Sequence, residues 1–494
     1  MLNQQPTRQK RRQNRPLKVD ITSHSFRDTA MPRSVITSVD PVCPLRPDRS
    51  ASVTSGGHAP NPSFARRAFL RRTAAAAAGA VAAPLFIPSS ALAAPGRPGA
   101  NDRINVGYIG AGRRAGQLLD LPPEARIVAA ADVQLSRAEA VAQRYGGRAY
   151  QDYRELLDSK DVDAVVVATP DHWHALPSIH ACQAGKDVYC EKPLTLTIRE
   201  GRQMVDAARK YKRVVQTGSQ QRSMVANRVA CQWVRDGHLG KVIEVIGSNY
   251  PSPWHCDFPT QDVPDGLNWD SWCGQTKPRP FHNDIFISRS NPGWISFRDY
   301  SGGEMTGWGA HGLDQVQWAL GMDESGPVEV WTEGVPFDPP TYAKPEPRAR
   351  GEKPGTYPQV VYRYANGVQL RLADGPPGGA VFVCERGRIT IDRGNFEIDS
   401  PDLERELRKS VDLKPEPGNE HLRNWVACIK SRETPVADVE IGHRSATVCH
   451  LGNIARETGR RLQWDPLSEQ FVNDDVANTL VSREQRAPYQ TDIV

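Results

Sequence analysis

Two hydrophobic periodicities divide the chain. From Arg103, the segment RINVGYIGAGRRAGQLL carries an apolar run into a glycine turn and then an amphipathic stretch, the pattern of strand, turn and helix. RIVAAAD follows and ends on Asp132; then come VDAVVVAT, a helix from His174, DVYCE, the amphipathic REGRQMVDAARK and RVVQTG. Val-rich strands without alternation, separated by amphipathic helices, predict a parallel sheet covered on both faces. Ligands of such sheets collect beyond the carboxyl ends of the strands. Three groups fall there: Thr169-Pro170, His172-Trp173-His174 and Glu191-Lys192-Pro193.

After Gly218 the period changes. KVIEVIGSNY alternates between its two sides, and VVYRYANGVQLRLA and VFVCERGRITID read as hairpins turning at Asn366-Gly367 and Arg386-Gly387. A mostly antiparallel sheet of this kind must bury one face against another layer. Between KVIEVIGSNY and those hairpins, Trp254, Trp269 and Trp272 stand among Pro and Asp, a composition that suits either sugar recognition or loop packing.

The first turn carries chemistry. Gly110-x-Gly112-x-x-Ala115 is a dinucleotide fingerprint: the first glycine makes the turn, the second lets the backbone approach a pyrophosphate, and the alanine packs helix on strand. Twenty residues after Gly112, Asp132 can accept both ribose hydroxyls and would repel a 2′-phosphate, so NAD is the expected cofactor, although Arg137 leaves NADP open. The fold expectation is therefore α/β. Residues 101–220 form a Rossmann domain, and residues 221–494 form an α+β domain with a large, mostly antiparallel sheet.

Length and charge refine this picture. A chain of 494 residues implies two or three units at roughly 150 residues each. The formal charge is +5, but residues 1–93 hold 14 Lys plus Arg against 4 Asp plus Glu, leaving 48 against 53 for the remainder. The basic charge belongs to a leader, and nothing after it resembles a nucleic-acid stripe. That leader has Arg66-Arg67, then Phe69-Leu70, an Ala-rich run and Ala91-Leu92-Ala93, and it resembles a twin-arginine (Tat) signal. The expectation is export to the periplasm or another extracytoplasmic space through the Tat translocase, with no stable membrane span. Nine cysteines include Cys43 in the leader and form no Cys-x-x-Cys pair, so buried thiols are expected even though export would permit disulfides.

ATPDHWH followed by GKDVYCEKPLT, in that order after the glycine fingerprint, resembles the Gfo/Idh/MocA oxidoreductase family, from about Arg103 to the C-terminus. This family includes glucose-fructose oxidoreductases and inositol dehydrogenases. The resemblance implies that Thr169, Pro170, His174, Glu191, Lys192 and Pro193 surround the cofactor and that Lys192 reaches the substrate hydroxyl beside the nicotinamide. It also implies an open sheet whose free face pairs subunits into a homo-oligomer. In the family, glycines, then Asp-x-x-x-His, then x-x-Asp begin a helix facing the cofactor, and the histidine is the usual proton acceptor. In GGEMTGWGAHGLDQVQW, His311 matches that histidine and Asp314 the later acid, while Gly307 stands in place of the first aspartate. Positions 311, 314, 315 and 318 share a helix face, so Asp314, or Glu304 upstream, is expected to support His311.

The implied activity is hydride transfer from a secondary hydroxyl of a sugar, glycoside or polyol to NAD. Lys192 would stabilise the alkoxide and His311 would take the proton. Two further classes stay open: a redox-neutral NAD-dependent glycosidase, and a non-catalytic sugar-binding or sensory protein on the same fold. His172-x-His174 and Trp254-His255-Cys256-Asp257 lack the closed ligand spacing of a zinc site, so no metal is expected.

Overall fold

In the computed structural model, residue 99 and residues 102–287, 293–343, 355–410 and 419–491 are described. The leader and its arginine pair lie outside the described residues. All described residues belong to one unit of the chain, Phe86–Val494.

The first sheet holds β1 (Ile104–Ile109), β2 (Ala125–Ala131), β3 (Arg148–Tyr150), β4 (Ala164–Val167), β5 (Asp187–Cys190) and β6 (Val215–Thr217). They lie in the order β3-β2-β1-β4-β5-β6, and every pairing is parallel. Each residue of β4 and β5 is buried, as expected for strands covered on both faces. The order reverses between β1 and β4, and that switch point opens a crevice at the strand ends. Local signals hold the elements in place. Thr197 and Glu200 form a reciprocal capping box at the helix Ile198–Lys210, and Asp152 caps Tyr153–Asp158.

The second sheet combines β7 (Val242–Ser248), β9 (Glu329–Glu333), β11 (Gln359–Arg363), β12 (Gln369–Ala373), β13 (Ala380–Cys384), β14 (Gly387–Asp392), β15 (Asn395–Ile398), β16 (Leu462–Asp465) and β17 (Gln470–Phe471). Its order is β15-β14-β13-β7-β12-β11-β9-β16-β17. The pairing of β7 with β12 is parallel and the others are antiparallel, so the sheet is mixed. Gly367 supplies the left-handed turn of the first expected hairpin with φ of 90°. In the second hairpin Cys384 pairs with Gly387, so the turn is Glu385-Arg386 and Gly387 already belongs to β14. Two short strands, β8 (His255–Cys256) and β10 (Thr341–Tyr342), pair beside these layers.

The chain returns to the first sheet near its end. Leu422, Trp425 and Val426 of the helix Glu420–Ser431 pack with Val106 and Tyr108 of β1. The helix Val439–Thr458 joins the two layers: Val439 and Ala446 enter a core of the first sheet, while Val448, Leu451 and Ile454 enter that of the second. No helix among the described residues is long and apolar enough to cross a membrane. The eight described cysteines are free thiols, all buried except the half-buried Cys256.

Candidate active site

A cavity of about 770 Å3 opens at the carboxyl ends of the first sheet. This size lies within the range of roughly 300–1,000 Å3 typical of small-molecule sites. Its floor is the glycine turn. Gly110 has φ of +85°, and a Cβ there would meet the Ala168 carbonyl carbon and oxygen at 3.0 Å, so the close approach of β1 to β4 requires glycine. A Cβ on Gly112 would meet nothing within 4 Å, which leaves the turn open toward a ligand. Ala115 is 1% exposed and sits in the core with Ile104 and Val106, where it joins the helix to the strand and lines no part of the cavity.

Asp132 closes the other side of the turn. Its Oδ2 accepts from the Ala111 amide at 2.7 Å and its Oδ1 from the Gln134 amide at 2.9 Å. Burial pushes its carboxyl above the usual aspartate range, against the pull of these two amides. Arg137 also lines the cavity, with its guanidinium 4.6 Å from the centre of the Phe286 ring. An open glycine turn, a positive backbone end and an acid at the tip of β2 fit a dinucleotide.

Thr169, Pro170, His174, Glu191, Lys192 and Pro193 line the same cavity. Both ring nitrogens of His174 face carbonyl oxygens, Nδ1 at 2.7 Å from that of Pro193 and Nε2 at 3.0 Å from that of Thr169. The ring therefore bridges the ends of β4 and β5. His172 turns away: Nε2 lies 2.8 Å from the Trp272 carbonyl, and burial pushes its pKa down to about 3, so it stays neutral. The two imidazoles thus meet backbone oxygens rather than each other.

Opposite the strand ends stands the helix Gly309–Ala319. His311, 5% exposed, lines the cavity, and its ring lies edge-on to that of Trp308 with centroids 5.6 Å apart. Lys192 reaches across from the end of β5, and Nζ donates to the Gly307 carbonyl at 3.0 Å. The position expected to hold an aspartate thus meets the lysine through its main chain.

Asp314 requires a correction. It is 1% exposed and does not line the cavity. Arg222 Nε donates to both of its oxygens at 2.9 and 3.0 Å, and Ser445 Oγ donates to Oδ1 at 2.7 Å. A buried carboxylate is held by the nearest cation and donors, and here they lie behind the helix rather than beside His311.

Several lining residues had no mark in the sequence pattern. Asp171, 3% exposed, accepts from Ser301 Oγ at 2.6 Å; its place inside the DHWH run was the one available hint. Arg114 pairs with Glu191 at 2.7 Å. Arg393 arrives from the turn after β14, and Tyr489 from the C-terminal segment, edge-on to Trp173 with centroids 5.5 Å apart. Of the three tryptophans, Trp272 lines the cavity, Trp269 stacks on it at 4.6 Å, and Trp254 stacks on Tyr342 at 4.8 Å.

Known proteins resemble the chain in sequence and in fold. The levoglucosan dehydrogenase of Pseudarthrobacter phenanthrenivorans is 34% identical over 136 residues, 27% of this chain and 34% of that protein. The inositol 2-dehydrogenase of Rubrobacter xylanophilus is 33% identical over 162 residues, 32% of this chain and 45% of that protein. The chain thus spans less than half the length of these curated relatives. The solved structure of the WlbA dehydrogenase from Bordetella pertussis, in complex with NADH and UDP-GlcNAcA, shares the fold. Its TM-score is 0.51 at 18% identity, covering 74% of this chain and 99% of that one. Residues 104–219 match the model for an oxidoreductase-family NAD-binding Rossmann fold, and residues 228–491 match the model for the C-terminal alpha/beta domain of the same family. With its parallel sheet, glycine turn and mixed second sheet accounted for by those two matches, the chain belongs to the Gfo/Idh/MocA oxidoreductase family.

Proposed function

We propose that the protein is an NAD(P)-dependent oxidoreductase acting on a secondary hydroxyl of a sugar, glycoside or polyol. One observation carries this reading: Lys192, from the end of β5, and His311, from the helix on the far side, line a single cavity with the glycine turn. Bound NAD supplies the hydride acceptor. Lys192 stabilises the substrate oxygen as its negative charge develops, and His311 takes the hydroxyl proton. Trp272 and Trp308 give the same cavity apolar walls, which lower the local dielectric and strengthen both interactions.

The same reading includes export by the Tat route with the cofactor already bound, and homo-oligomerisation through the sheet face opposite the helices. Single-turnover reduction of bound NAD by a panel of glycosides and polyols, followed by nicotinamide absorbance, tests the activity. Reduction by at least one sugar, with release of the oxidised product, is the expected result. Absence of reduction across the panel would reject it in favour of a sugar-binding role.

A further inference from the structure

One cation of the cavity is built in from the second sheet. Arg393 and Gly394 form the two-residue turn between β14 and β15, where Asp392 pairs with Asn395 and Gly394 adopts φ of 76°. The turn is pinned rather than left to solvent. Asn227, fully buried, donates from Nδ2 to the Asp392 carbonyl at 2.9 Å and accepts from the Gly394 amide at 2.8 Å. The same Nδ2 donates to Gln315 Oε1 at 2.9 Å, and Gln315 follows His311 by four residues on one helix. A single buried amide therefore fixes the hairpin tip to the helix that carries His311.

The guanidinium is directed into the cavity. It lies 6.0 Å from the centre of the Trp308 ring, and with the Gln220 amide oriented to satisfy both neighbours, Gln220 Oε1 accepts from Nη2 at 2.8 Å. Among the described residues it makes no ion pair, whereas neighbouring Arg114 has Glu191 at 2.7 Å. Partial burial, followed by the like charge of Arg114, pulls the Arg393 pKa below the usual arginine value, against the opposing pull of Glu191 and Asp392. A preorganised guanidinium that touches a neutral amide and an indole face, with nearby Glu191 already paired to Arg114, presents its donors to planar anionic oxygens.

We propose that Arg393 determines substrate specificity by binding a carboxylate on the sugar, so that the preferred substrate is an acidic sugar of the uronic acid class. This inference rests on reading the cavity as a sugar-oxidising site. The cofactor pyrophosphate is the competing source of anionic oxygens, and the experiment separates the two.

Calorimetric titration of the NAD-loaded protein with methyl β-D-glucuronide and methyl β-D-glucoside gives the primary readout, for the parent, Arg393→Gln and Arg393→Lys. NAD titration and melting of each variant run alongside. The parent is expected to bind the glucuronide about tenfold or more tightly than the glucoside, the worth of one charge-assisted hydrogen bond. Arg393→Gln removes that margin, Arg393→Lys keeps part of it, and NAD affinity and melting stay at parental values. Three results overturn the proposal: no margin in the parent, including failure to bind either glycoside; a margin that survives Arg393→Gln; or a roughly tenfold loss of NAD affinity in Arg393→Gln, which assigns the guanidinium to the pyrophosphate. A margin without reduction of bound NAD leaves the carboxylate subsite standing and rejects the dehydrogenase reading alone.

Discussion

Lys192 donates from Nζ to the main-chain carbonyl of Gly307 at 3.0 Å, joining the end of β5 to the turn that precedes the His311 helix. A carbonyl orients the ammonium through a dipole, where a carboxylate would add a full opposing charge. The lysine is thereby held at the wall of the cavity that His311 also lines, and the main chain of Gly307 holds it there.

Removing either group tests the division of labour. His311→Ala is expected to slow hydride transfer by about two to four decades and to erase one limb of the pH–rate profile, with NAD still bound. Lys192→Ala is expected to slow it comparably and to raise the substrate KM. Gly307→Asp sets a carboxylate beside the lysine and obstructs the substrate, raising KM by about tenfold. Single-turnover absorbance and steady-state kinetics measure all three, and an unslowed His311→Ala protein would make that histidine structural.

Cofactor choice follows from Asp132. Its oxygens already accept from the Ala111 and Gln134 amides, so the carboxylate is fixed at the tip of β2. Asp132→Ser is expected to narrow the preference for NADH over NADPH by about tenfold in fluorescence titrations, through loss of the ribose acceptor and of 2′-phosphate repulsion. Tighter NADPH binding by the parent would contradict the assignment.

The ion pair behind the His311 helix carries stability. Arg222 is 3% exposed and holds both Asp314 and Asp323, the latter at 2.8 Å from Nη2. Arg222→Met leaves the buried Asp314 without its cation, while Asp323 keeps Arg235 at 3.6 Å, and should cost about 3–5 kcal/mol, read as a lower denaturation midpoint. Adding Asp314→Leu to that variant should restore part of the loss, because the better buried of the two charges is removed as well.

Acid sensitivity follows from Glu469. Burial alone would raise its pKa, but His443 at 2.7 Å and Arg202 at 2.6 Å outweigh it and hold the carboxyl down at about 2, below the ordinary value of 4.5. Burial lowers the His443 pKa against the opposing pull of Glu469, and Arg202 and Arg444 add their fixed charges to the same carboxyl. A depressed carboxyl stabilises the fold fully above its unfolded pKa and loses that contribution as pH falls from about 4.5 toward 2. Glu469→Gln should therefore melt earlier at neutral pH and show a flatter decline across that window. An unchanged slope would show that the network is not a source of acid sensitivity.

Export is tested in the leader. Replacing Arg66 and Arg67 with lysine preserves charge and removes the twin-arginine pair. The full-length protein should then remain cytoplasmic in cell fractionation, and unaltered export would reject the Tat assignment.

The features legible in the sequence are those set by short-range physics. Gly110 is dictated by a left-handed turn, the burial of β4 by an unbroken Ala-Val-Val-Val run, and Asp132 by its place at the end of an apolar strand. Each depends on a few neighbouring residues, so spacing alone identifies it. The partner of a buried charge is different, because it depends on which distant elements fold against it. Asp314 shares a helix with His311, yet it is claimed by Arg222, 92 residues earlier, since a desolvated carboxylate takes the cation that packing supplies. Helical periodicity placed Asp314 on the expected helix, but only the tertiary structure decided which way its charge is used. By the same logic Arg393, at the tip of the β14–β15 hairpin, and Tyr489, near the chain's end, join the cavity only because the sheet, the His311 helix and the C-terminal segment converge there.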